Sequence, residues 1–140
     1  MIKLDSLTLF ISAALFGIIW LVQRLHYPSF MFLDQLTFKT AMKHHQDRIS
    51  WVVVPLMLTE LLLAVVAVIR DVSTHTLTIL IIVIMIWLVT FTIQVPLHSK
   101  LLLEGFNEQR IHRLVRTNWI RTLLWTLKLF VIFSTTVNSL

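Results

Sequence analysis

The chain alternates between four long apolar stretches, at about residues 7–25, 50–69, 77–97 and 119–137, and polar connections. Each stretch approaches the ~20 residues that a helix needs to cross a hydrocarbon core. Helix is the conformation expected there, because lipid cannot satisfy an open strand edge. Residues 70–76 predict a tight turn, and the longer connections, about 26–49 and 98–118, then fall together on the other side. The polar residues inside the stretches are not scattered. At about 100° per residue, Trp87, Thr90, Gln94 and His98 lie within roughly 80° of one another, and Asn118, Arg121, Trp125 and Lys128 fill a similar arc. Gln23, His26 and Tyr27 cluster at the end of the first stretch, and His45 and Arg48 stand just before the second. A polar side chain in hydrocarbon is costly and is kept where it faces a partner. Four stripes at one shared end therefore predict a polar pocket inside a bundle. The expected fold is all-α: an integral membrane four-helix up-down bundle, a single transmembrane domain over residues 1–140.

The connections add detail. In the first, Phe30, Met31, Leu33, Leu36, Phe38, Ala41 and Met42 interleave with Asp34, Gln35, Lys39 and Lys43, which predicts an interfacial amphipathic helix running into the second span. In the second, Gly105 breaks the chain and Asn107 suits the N-cap of a basic helix leading into the fourth span. Pro55 and Pro96 are expected to kink their spans and widen the bundle at the polar end. Trp51, Trp119 and Trp125 suit an interfacial belt or a pocket wall.

Composition fits a membrane protein: 57% of residues are hydrophobic, with two Gly and three Pro. Cysteine is absent, which excludes disulfides, thiolate nucleophiles and thiolate metal sites. The net charge of +5 does not point to nucleic acid, because the basic residues flank the spans instead of forming a soluble basic domain. Arg24, Lys39, Lys43, Arg48, Lys100, Arg110, Arg113, Arg116 and Arg121 lie on the side of the long connections, against Lys3 and Arg70 opposite. That bias puts the long connections in the cytoplasm and both termini outside. Arg110, Arg113 and Arg116 follow one helical face that suits anionic lipid headgroups. At the N-terminus Asp5 offsets Lys3, and Trp20, Gln23 and Arg24 follow where a cleavage site would stand, so this segment reads as the first span and not a leader.

The candidate chemistry follows from the stripes. His98, Arg121, Asn118 and Glu60 are the candidate catalytic residues: a histidine as base or ligand, Arg121 with Asn118 stabilising an oxyanion, and a desolvated carboxylate. Arg48, Gln94, Lys128 and Trp125 are candidate ligand-binding residues. Glu60 and Lys128 enter the bilayer to a matched depth of roughly 15 Å, so a structural ion pair competes with a functional role. His45, His98 and His26 could ligate haem or another metal, although no HxxxH or HExxH spacing occurs, and hydrogen-bonding interfacial histidines are the plainer alternative. Two functions compete. One is a redox or oxygenase-type enzyme acting on an apolar or quinone-like molecule from the bilayer. The other is a non-catalytic module: a ligand- or lipid-binding protein, a homo-oligomer, or a subunit of a larger membrane complex. A proton path ranks last, because the outer half of each span carries almost no polar residues.

Several segments resemble a family of small uncharacterised bacterial four-helix integral membrane proteins: Tyr27-Pro28, His45-Gln46-Asp47-Arg48-Ile49, and Pro55 with Glu60. Gln94-Val95-Pro96-Leu97-His98 and Leu114–Thr122 with Trp125 belong to the same resemblance, and these two are distantly similar to anthrone-oxygenase-like membrane proteins. In the oxygenase-like pattern Asn follows Pro-Leu, where this chain has His98. The resemblance implies a bacterial inner-membrane location. It singles out His45, Arg48, Glu60, His98, Asn118 and Arg121, the same six residues that the stripes select once Glu60, about 60° around a continuous helix from His45, is counted with them.

Overall fold

A computed structural model describes the backbone of residues 4–138 and the side chains of residues 4–134. Lys3, one of the two basic residues expected on the far side, lies outside the described residues, as do the last side chains of the fourth stretch. Helices account for nearly all of the chain, and no strand occurs among the described residues. The four long helices are α1 (Leu4–Phe32), α2 (Phe38–Arg70), α3 (Thr74–Glu104) and α4 (Glu108–Asn138). The first three are long and apolar enough to cross a membrane.

The polarity of the fold is inverted relative to a water-soluble protein. Ser12, Gln23, Glu60, Gln94, His98, Asn118, Arg121, Thr122 and Lys128 are all buried, while Phe10, Leu62, Ile81, Leu88, Leu123 and Phe130 face outward. Such a surface suits a bilayer, where lipid replaces the hydrophobic drive between helices and polar side chains help hold them together. Around this interior, α1 packs on α4, α2 on α3, and α3 on α4.

The turns follow from their residues. Between α2 and α3 the chain turns at residues 71–73, and Ser73 and Thr76 form a capping box: the Thr76 N–H donates to Ser73 Oγ (3.3 Å) and the Ser73 N–H to Thr76 Oγ1 (3.1 Å). After α3, Gly105 takes φ = 91°, a left-handed conformation that side chains disfavour. A Cβ there would meet Lys39 Cε at 3.2 Å. That approach lets Lys39 Nζ donate to the Leu103 carbonyl (2.6 Å), satisfying an orphan carbonyl at the end of α3. Asn107 then accepts the Arg110 N–H on Oδ1 (2.9 Å), the N-cap of α4.

The segment expected as an amphipathic helix divides in two. Residues 33–37 form a bend and turn, and residues 38–49 are the first turns of the uninterrupted α2. Phe38 and Met42 are fully buried with Leu101, Ile111 and Leu114, while Phe32 and Leu36 are exposed. Pro55 sits inside α2, which continues through it.

Two breaks in helical register shape the interior. Residues 22–26 of α1 and 90–94 of α3 are π-helical turns, closed by the Tyr27 N–H on the Val22 carbonyl and the Val95 N–H on the Thr90 carbonyl. Each closing residue is followed at once by proline, Pro28 or Pro96. Proline has no N–H for the helical ladder and its ring crowds the carbonyl four residues back. A widened turn before it absorbs that clash, and such turns recur at functional sites.

Candidate functional site

Both π turns present a buried glutamine to α4. Gln23 donates from Nε2 to the Val115 carbonyl (3.1 Å) and accepts on Oε1 from Asn118 Nδ2 (2.8 Å) and Thr122 Oγ1 (3.3 Å). Gln94 donates from Nε2 to Thr117 Oγ1 (3.1 Å). These side chains pin α1 and α3 to α4 on either side of a cavity. Gln23→Leu strands the Asn118 Nδ2 group, while Thr122 Oγ1 keeps the Asn118 carbonyl (3.1 Å), and an unpaired buried polar group costs about 1–3 kcal/mol. A loss of about 2 kcal/mol is therefore expected, read by thermal unfolding in detergent. No loss would mean that α1 is held by apolar packing alone.

Below the cavity lies a closed ionic network. Lys128 Nζ pairs with Glu60 and also donates to Ser12 Oγ (2.8 Å), while Ser12 donates to the Thr8 carbonyl (2.7 Å). Trp125 Nε1 is shared between the two Glu60 oxygens at 3.2 Å each. The charges cancel, and Ser12, Glu60, Trp125 and Lys128 are all buried. Neither Glu60 nor Lys128 lines the cavity; Trp125 separates them from it. On the face of Trp125 rests the Arg121 guanidinium, 5.1 Å from the ring centroid, a cation–π contact.

The cavity itself is about 200 Å³. Its walls are largely apolar (Leu15, Ile19, Val22, Val53, Met57), and its mouth lies between α2 and α3, where Val54, Phe91 and Val95 line it and are also exposed outside. The polar side chains on it are Tyr27, His45, Gln46, Thr90, Gln94, His98 and Arg121, with Ser50 near the mouth. His98 makes one polar contact, from Nδ1 to the Gln94 carbonyl (2.8 Å). A carbonyl only accepts, so Nδ1 carries the proton and Nε2 keeps its lone pair. Tyr27 packs on His98 with ring centroids 5.4 Å apart, and its hydroxyl faces Arg121. Four polar atoms of this wall are buried without a hydrogen-bond partner: Gln46 Oε1, Gln94 Oε1, Trp87 Nε1 and Arg121 Nε.

No family model, curated relative or solved structure matches this chain. The site therefore rests on its own geometry. Of the candidate residues, the structure brings His98, Arg121, Gln94, Trp125 and His45 to the cavity wall. Asn118 is fully buried beside it, in the Gln23 network. Arg48 is exposed and outside the wall. His26 touches His45 ring to ring but faces outward. Of the proposed metal ligands, His26 and His45 touch, and His98 packs on Tyr27 in the same wall as His45. Among the described residues no group of three or more His, Asp or Glu could hold a metal ion. A volume near 200 Å³ suits one or two fused rings, given that an engineered cavity of about 150 Å³ takes benzene.

Two features were not anticipated from the residues. Gln46 shares a helical face with Ile49, Ser50, Val53 and Met57, so counting back along α2 from Met57 would have found it. Ser12, the hydroxyl partner of Lys128, carries no such signal in an apolar stretch.

Proposed function

We propose that the protein is a multi-pass enzyme of the bacterial inner membrane, an up-down bundle with its long connections in the cytoplasm. It would take an apolar, oxygen-bearing ring compound from the bilayer through the mouth between α2 and α3. The observation that carries this reading is the set of four unpartnered polar atoms on the wall, beside the free Nε2 of His98. Left unpaired, each costs about 1–3 kcal/mol, and a ligand with carbonyl and hydroxyl oxygens would satisfy them.

The chemistry this arrangement suits is proton abstraction next to a carbonyl. The C–H bond breaks, His98 Nε2 takes the proton, and the electron pair moves onto the carbonyl oxygen, where Arg121 stabilises it. His45 lines the cavity and touches the exposed His26, a route by which the proton would reach water. The resulting enolate is the form of such a ring compound that reacts with dioxygen, which accords with the oxygenase resemblance.

The test is hydrogen–deuterium exchange at the acidic carbon of 2-tetralone dissolved in nanodiscs in D2O, read by mass spectrometry. Discs carrying the protein are expected to exchange faster than empty discs. No acceleration would sink the enzyme reading. The closed Glu60–Lys128 network favours a second reading, a non-catalytic ligand-binding module, in which the probe binds without exchange.

A further inference from the structure

The charge balance of the cavity says more about its ligand. Arg121 is 7% exposed, lines the cavity, and leaves Nε unpartnered. Guanidinium does not lose its proton in proteins. Among the described residues Arg121 makes no ion pair. The nearby carboxylate, Glu60, is already matched by Lys128, and no Asp or Glu lines the wall. Its contacts are with the face of the Trp125 ring and the Tyr27 hydroxyl, neither of them a carboxylate. A buried cation is ordinarily paired, so the interior carries one positive charge more than it balances.

We infer that the molecule held here brings one ionised oxygen acid, a carboxylate or phenolate on an apolar ring, as the counter-ion of Arg121. This rests on the ligand-binding reading above and deepens it. A planar oxyanion matches the fork of a guanidinium. A second carboxylate oxygen would accept from Trp87 Nε1, a ring hydroxyl would donate to Gln94 Oε1, and the small cavity admits the ring while any tail leaves through the mouth.

The test compares naphthalene-2-carboxylate with naphthalene-2-carboxamide, a near-isosteric uncharged partner. The full chain sits in phosphatidylcholine nanodiscs, binding is read by tryptophan fluorescence, and partition into empty discs is subtracted. The carboxylate is expected to bind about ten- to hundredfold tighter, the worth of a hydrogen bond to a charged group. Arg121→Lys should keep the preference, and Arg121→Met should erase it while amide binding persists. If the amide binds wild-type protein as tightly as the acid, the charge inference is overturned and the ligand site stands. If neither binds, both fall. Adding phosphatidylglycerol tests the ring acid against a lipid phosphate: competition with the carboxylate would overturn the ring acid in favour of a lipid headgroup, and no competition supports it.

Discussion

Glu60→Gln or Lys128→Met alone is expected to destabilise the protein by about 3–5 kcal/mol, because each leaves its partner as an uncompensated buried charge. The double variant E60Q/K128M should come within about 1–2 kcal/mol of wild type, since neutral groups of similar shape replace both charges. Gln at 60 is chosen because its carbonyl oxygen can still accept the Trp125 Nε1–H that now bonds the carboxylate. Unfolding in a denaturing detergent gradient, followed by circular dichroism, would give all four corners of the cycle and hence the coupling energy. Single variants within about 1 kcal/mol of wild type would mean that the pair contributes little and that Ser12 and Trp125 hold these helices by themselves.

The second large effect concerns His98. With 2-tetralone as probe, His98→Gln is expected to slow protein-dependent deuterium exchange by about 10²–10⁴-fold, the range for removing a general base. Gln offers similar bulk, but its amide has no basic nitrogen. Tyr27→Phe keeps the ring against His98 and removes the hydroxyl that faces Arg121, so its effect should stay near tenfold, about one hydrogen bond. Circular dichroism would establish that both variants fold. An exchange rate in His98→Gln within about threefold of wild type, far below a general base's range, would move the base to His45, the other imidazole on the wall.

How much of this could be read from the residues depends on which side of a π turn they lie. Trp87, Thr90, Gln94 and His98 can be picked out as one stripe because polar side chains in an apolar run are few and the arc they span is wide. The matched depth of Glu60 and Lys128 follows from helix rise alone, whatever the rotation, and their contact is what the structure adds. Rotation is where the reading fails. A fixed 100° count cannot foresee the wider turns at 22–26 and 90–94, and these decide that Gln23 turns to Asn118 and Thr122. Arg48 belongs to the same limitation: a basic residue near a membrane end reads alike whether it faces inward or outward, and here it is exposed. The ring pair of His26 and His45 depends on the path between α1 and α2, which periodicity does not encode.

The π turns also bear on how such a site could arise. A π turn is an α-helix carrying one surplus residue, so each is equivalent to a single-codon insertion upstream of a proline. One amino acid added to a helix that stays regular would rotate everything beyond it by about 100°, whereas a π turn takes up the added residue locally and spares the helix that follows. In α1 the segment beyond the turn carries Tyr27, and in α3 it carries His98. Each turn therefore lets its helix hold one residue more before a proline while a phenol and an imidazole stay aimed at one cavity. Deleting one residue from either turn should restore a regular helical turn there.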